Sequence, residues 1–319
     1  MTPMFPPASR GSMRIYARTA GLFLAMGAGV VVHEAYVLAW IIPPLVAAMM
    51  FLASLDLRLG PGAFRGSVWR ILAANLAVAC SAFFVLLPVD RMLALSAFLT
   101  GVTPTAISAP VIIGFLDGEV EYVVASVLIT NFFIALVIPF VLPLVAGTEA
   151  GISTAGALLS VFLVVFVPLG LSRGVSYFPV GIRRVIVKAK PLSFPLWLAV
   201  LFLVTAKSSH FLRREVSVPA GTLAAIAAVS FIICVVNFSL SALLGGKDYR
   251  REASQSLGQK NNSFTIWLAL TFLDPVVALG PTCYVFFHNS YNAIQLFAHE
   301  RKRNRASASS AITNKGDTP

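Results

Sequence analysis

The sequence predicts an all-α membrane protein of ten transmembrane helices, arranged as two inverted five-helix repeats. Three observations predict it. Hydrophobic residues make up 58% of the 319 and charged residues only 12%, against about 25% charged in an ordinary soluble domain. Apolar runs long enough to cross a bilayer recur along the whole chain. Two of those runs are interrupted by polar, helix-breaking stretches at corresponding places.

A membrane-crossing helix needs about 20 mostly apolar residues. Runs between charged or Gly/Pro punctuation place the spans near 17–32, 36–54, 67–87, 92–116, 120–145, 151–172, 192–209, 218–243, 249–273 and 275–298. They divide the chain into an N-terminal lead (1–16), a first repeat (17–145), a linker (146–150), a second repeat (151–299) and a basic tail (300–319). The lead resembles a signal peptide in its Arg10, Arg14 and Arg18, but no small-x-small cleavage site follows, so the first apolar run is read as a helix. The tail is too polar to bury a core and is expected to be disordered.

Charge sets the orientation. With both termini in the cytoplasm, 19 of the 24 Lys and Arg lie inside, 4 lie outside, and Lys260 falls within a span. That bias follows the positive-inside rule and places the chain as a multi-pass protein of the plasma (inner) membrane. It also accounts for the formal charge of +11 without a nucleic-acid partner. Membrane lipid is the expected partner, and oligomeric state is not encoded. The segment 173–190, alternating apolar and basic, is expected to lie on the membrane surface. Cys80, Cys234 and Cys283 lack metal-ligand spacing and are expected to be buried small hydrophobes.

The fourth span carries Thr100, Gly101, Thr103, Pro104, Thr105, Ser108 and Pro110 within eleven residues, a poor recipe for a regular helix. The ninth opens with Ser254-Gln255-Ser256-Leu257-Gly258-Gln259-Lys260-Asn261-Asn262-Ser263. Polar and unpaired backbone groups are penalised by several kcal/mol in lipid, so both stretches must face protein or a water-filled cavity. Each break is fourth in its set of five helices. Because five is odd, the two sets run in opposite directions. Matched interruptions of this kind point to an inverted-repeat secondary transporter with its site at the midplane. The competing reading is a pair of kinks with no ligand.

The same residues resemble the bile acid:sodium symporter family. Ser256–Ser263 is similar to its ninth-helix Glu-Val-Gly-Met-Gln-Asn-Ser. Asp274-Pro275-Val276-Val277-Ala278 and Phe287-His288-Asn289 resemble its tenth-helix motifs, and Pro104-Thr105-Ala106 with Gly118-Glu119-Val120 resembles its fourth-helix crossover and the start of its fifth helix. The resemblance implies a four-helix panel (helices 1, 2, 6, 7), a six-helix core (3, 4, 5, 8, 9, 10), crossing broken helices 4 and 9, and organic-anion substrates.

The sequence departs from that family where it binds sodium. Ser256 stands at the position of its carboxylate and Lys260 at that of its glutamine. Its fourth-helix Ser-Asn pair falls near Ala109 and Pro110, and its fifth-helix hydroxyls fall on Val123 and Val127. Ser126 and Thr130 repeat the hydroxyl spacing after a three-residue shift, and Asn75 is the counterpart of a third-helix glutamine. A hard cation wants several oxygen ligands, and few remain. Lys260 is therefore expected to occupy the space of a coupling ion and to attract the anion, with Ser256, Ser126, Thr130 and Asn131 around it. A desolvated ammonium can release a proton, so proton coupling or uncoupled exchange is expected in place of sodium symport. Lys260 bonded to backbone carbonyls at the break is the alternative.

Substrate contacts are expected from Lys260, Thr103, Thr105, Ser108, Gln259, Asn261, Asn262, Asn75, His288 and Asn289. Hydroxyl and amide groups at half-helix ends suit an anion, but the same groups also serve to satisfy freed backbone. Ser126, Thr130 and Asn131 can equally hold helices together, and His33-Glu34 is read as a structural turn. No cofactor or metal is expected. The enzyme class is disfavoured because HExxH, GxSxG, the Walker loop and Cys/His clusters are missing. A membrane sensor would need a soluble signalling domain, and no inter-helix loop or tail is long enough to fold one. A sodium-coupled symporter of the same family, an auxin-efflux-type carrier, arsenite efflux and a channel remain the other readings.

Overall fold

In a computed structural model, the structure describes residues 10–55, 65–147, 151–214 and 219–316, with side chains described from residue 20 to residue 302 apart from 53, 212, 214 and 300. The lead before residue 10, residues 148–150 of the linker and the last three residues lie outside this description. The described chain is all-α. Among the described residues, six helical stretches are long and apolar enough to cross a membrane: His33–Leu52, Gly66–Leu86, Val120–Ala146, Thr154–Tyr177, Val180–Phe211 and Ala220–Leu244.

Each of the ten expected segments is largely helical. α1 (Arg10–Val31) starts seven residues before its expected span, and its apolar part, Ala20–Val31, is short. A 3-10 segment, His33–Ile41, leads into α2 (Ile42–Ser54), whose Pro43 and Pro44 sit in the first turn, where a missing N–H costs nothing. α3 (Gly66–Leu86) is continuous. The fourth span is split into α4 (Arg91–Val102) and α5 (Ala109–Phe115), and α6 (Val120–Ala146) follows. α7 (Thr154–Val161) continues through a π turn into α8 (Val167–Gly174). The short α9 (Val180–Lys188) precedes α10 (Ser193–Arg214) and α11 (Ala220–Leu244). The ninth span is split into α12 (Arg250–Gly258) and α13 (Asn262–Phe272), and α14 runs from Leu279 to Gly316.

The end of α14 differs from expectation. Its backbone stays helical through residues 300–316, where disorder was expected. Arg, Lys and Ala are good helix formers, and a docked helix propagates into them without a new nucleation step.

Packing divides the helices into two groups. α1, the His33–Ile41 segment, α2, α8 and α10 pack on one another, and α3, α4, α5, α6, α11, α12, α13 and α14 pack on one another. Contacts of α1 and α13 with α14 and α2, and of α6 with α7, join the groups. The outer faces carry Leu24, Trp40, Phe84, Val85, Phe140, Leu144, Phe162 and Leu243 as exposed apolar side chains. Exposed Cys80 belongs to this outer face, while Cys234 is buried. α9 has no buried residue, and its Val180, Ile182 and Val185 face outward beside its basic side chains.

Candidate functional site

The two breaks meet. Pro104 cannot continue α4 and pushes the residue before it out of helical conformation, so Thr103 is extended (φ −48°, ψ 128°). In the ninth span α12 runs on through Gly258, and the chain turns extended at Gln259 (φ −85°, ψ 118°). That gap spans three residues, narrower than the polar stretch suggests. Ser254 and Ser256 stay helical because their hydroxyls donate to the carbonyls of Phe238 (2.9 Å) and Glu252 (2.8 Å).

Thr105 and Lys260 form an antiparallel bridge. The Ala106 N–H donates to Gln259 O at 2.9 Å and the Asn261 N–H donates to Pro104 O at 2.8 Å. Backbone groups freed by one break are thus satisfied by the other, as a dry interior requires. Glycine sets the closeness of the flanking helices. A Cβ on Gly101 would meet Ala79 Cα at 2.7 Å, and one on Gly258 would overlap the Phe238 ring.

Lys260 is 2% exposed. Its ammonium donates to Asn75 Oδ1 and, at 3.0 Å, to Gly101 O. Asn75 Nδ2 donates in turn to the carbonyls of Val102 and Thr103, each at 3.2 Å. The charge therefore has protein partners, and the bond to Gly101 O matches the alternative reading of Lys260 tied to a backbone carbonyl at the break. It joins α3, the end of α4 and the gap between α12 and α13.

Most of the other expected residues spend hydrogen bonds on the crossover or on their own helices. Thr105 Oγ1 donates to Ser256 O at 2.6 Å and lies 2.9 Å from Thr130 Oγ1, which also accepts from the Thr105 N–H at 3.0 Å. Asn131 Nδ2 donates to Thr105 O at 2.8 Å, and its Oδ1 accepts from Asn261 at 3.1 Å. Thr103 accepts from Thr265 at 2.8 Å while donating to Leu99 O. Gln259 donates to Gln255, and Ser126 and Ser256 donate within their own helices. His288 Nδ1 accepts from the Lys260 N–H at 3.4 Å, whereas Asn289 bonds Val285 O in its own helix.

Beside the crossover lies a cavity of about 570 Å³. Ser108, Lys260, Asn261, Asn262, His288 and Asn289 line it, as does Ser263. Thr103, Thr105, Gln259, Asn75, Ser256, Ser126, Thr130 and Asn131 do not. Asn262 Nδ2 donates to Lys260 O at 3.2 Å, and its Oδ1 is a buried acceptor with no donor. The opposite wall is apolar, with Met49 and Leu52 from α2 and Phe194 and Trp197 from α10. Lys190 and Val187 line the same space near α9. The cavity thus lies between the two helix groups, polar on the crossover side and apolar on the other. Such a space suits a small molecule with one polar end.

The sequence carried no signal for the apolar wall, whose residues look like any others in apolar spans. It also missed Tyr284, whose hydroxyl donates to Gly258 O at 2.8 Å, and Asn237, which donates to that hydroxyl at 3.2 Å. Also missed was Glu252, a buried carboxylate that accepts from the Glu119 N–H at 2.9 Å and so holds the start of α6. Arg65 pairs with Glu119 at 2.7 Å and lies over the Tyr249 ring.

No protein-family model matches this chain, and no curated protein matches it. The family resemblance therefore rests on the motifs alone.

Proposed function

We propose that this chain is a secondary transporter of a small organic anion in the plasma membrane, with ten spans in two inverted five-helix repeats and both termini in the cytoplasm. The observation that carries it is the antiparallel pairing of two helix breaks beside a two-faced cavity between helix groups. A structural kink needs no partner break and no adjoining cavity. Inverted-repeat transporters need both, because substrate must sit where one group rocks against the other. In this orientation the α9 side is cytoplasmic, so the cavity faces inward. Amides of Asn261 and Asn262 and the hydroxyls of Ser108 and Ser263 hold the anion, and Trp197, Phe194 and Met49 cover its apolar part.

Coupling is to protons or absent. Lys260 supplies a tethered positive charge to the crossover, linked to Asn75 and Gly101, where a mobile cation would otherwise neutralise the converging carbonyls. A second reading, sodium symport, draws on Asn262 Oδ1, a buried oxygen free to take a cation.

Thermal unfolding of the purified protein with a panel of carboxylates and sulfonates, in sodium and in choline buffer, tests the proposal. One anion class is expected to raise the melting temperature equally in both buffers. Asn262→Ala and Trp197→Ala are expected to reduce the shift while still unfolding cooperatively. Stabilisation confined to sodium favours the second reading, and no stabilisation by any anion counts against transport of this class.

A further inference from the structure

The geometry points to a transition-metal site of the zinc class formed by His33, Glu34 and His210, remote from the cavity. One ligand atom from each lies within 4.8 Å of the others. Glu34 Oε1 is 3.3 Å from His33 Nε2, and its Oε2 is 4.0 Å from His210 Nδ1. Ligands held at about 2.0–2.2 Å around a tetrahedral zinc stand roughly 3.4 Å apart, so small side-chain adjustments close the set. Two imidazoles and one carboxylate form a zinc-type donor set with a position left for water.

The surrounding bonds favour a cation. His33 Nδ1 lies 3.4 Å from Val31 O, so the tautomer donating there turns a lone pair on Nε2 toward the carboxylate. Fixing one ring nitrogen on a backbone carbonyl is how ligating histidines are oriented. His210 Nδ1 is buried with no hydrogen-bond partner. Its ring is held by stacking on Tyr36, with centroids 3.6 Å apart. Three electron-pair donors thus converge without a donor hydrogen among them in the neutral-ring state. Arg213, three residues beyond His210 on α10, is engaged with Val30 O at 3.2 Å. Glu34 is 64% exposed, which gives an ion a way in.

The site ties the start of the His33–Ile41 segment to the last turns of α10. Along α10 it stands ~20 Å from Trp197 at 1.5 Å per residue, so it is separate from the cavity and independent of the transport proposal.

Tag-free full-length protein, stripped with a chelator, loaded with zinc at low micromolar free concentration and desalted, is assayed for metal by mass spectrometry. Wild type is expected to retain about one zinc per chain, since three side chains converge with one ligand atom each on a single point. His210→Ala and His33→Ala are expected to lose it, and magnesium is not expected to compete. Glu34→Gln, at an exposed position that leaves the fold alone, is expected to weaken zinc about tenfold or more. Cobalt loading of wild type is expected to give the visible absorption of a four-coordinate ion, missing in Glu34→Gln. His299→Ala, at the separate His299–Asp117 pair, is expected to change nothing. Wild type that retains no zinc overturns the proposal, as does retention unchanged in both His210→Ala and Glu34→Gln.

Discussion

The two breaks that meet at the crossover are built differently. The first, between α4 and α5, opens because Pro104 forbids helix, and its threonines turn inward, leaving Ser108 as its polar side chain on the cavity. Thr103, Thr105 and the Thr130 and Asn131 groups facing them spend their hydrogen bonds on backbone and on one another. The second, between α12 and α13, opens over three residues after Gly258 and turns Asn261, Asn262 and Ser263 toward the cavity. One break is a fastened frame and the other a presenting surface. Polar residues in a broken helix therefore do not all serve a ligand: those that must replace lost helical bonds are spoken for.

Substitutions can break or sharpen this contrast. The largest effect is expected from Lys260→Met, which keeps volume but leaves Asn75 Oδ1 and Gly101 O without a donor. Two stranded buried acceptors cost about 2–4 kcal/mol, read as a lowered unfolding midpoint in detergent, with loss of anion-dependent stabilisation as well. Thr105→Val, in the fastened break, is expected to cost about 1–2 kcal/mol by stranding Ser256 O and loosening Thr130. If instead it leaves stability unchanged, the frame is not fastened there. Asn262→Ala, in the presenting break, is expected to cost less than Thr105→Val and to weaken anion binding about tenfold, ~1.4 kcal/mol, measured by isothermal titration. Smallest is Ser108→Ala, whose side chain caps nothing. It is expected to stay within about 0.5 kcal/mol of wild type in stability, with any change confined to ligand affinity.

Most of the helical layout was legible because it is local. Apolar length, proline position and the distribution of Arg and Lys are each read from a short window. The breaks were legible for the same reason, down to Pro104 and the Gly258–Asn262 stretch. What those windows could not hold was pairing. The Lys260 contact with Asn75 spans 185 residues, and the sequence offered the ammonium only a substrate or a backbone carbonyl, not this side chain. A threonine aimed at a carbonyl and one aimed at a cavity look alike in sequence, so Thr103, Thr105 and Ser108 could not be sorted. Met49 and Trp197 gave no sign because a cavity wall and a packed core use the same residues. The tail after residue 300 was read by composition, which speaks to core formation and not to continuation of a helix already begun.

The reciprocal backbone bonds between Pro104–Ala106 and Gln259–Asn261 have a mechanical corollary. Sliding one broken helix past the other would strip two amide protons and two carbonyl oxygens of partners in a place without water, at several kcal/mol. The crossed pair is thus spared independent motion and travels as a single block together with whatever is bolted to it, α3 through Asn75 and α6 through Thr130 and Asn131. In the transport proposal, displacement falls to the seam where Trp197 and Met49 face the amides, since the bonds across it there are the weak ones to thioether sulfur, Asn261 Nδ2 to Met50 Sδ at 3.4 Å and Ser263 Oγ to Met49 Sδ at 4.0 Å.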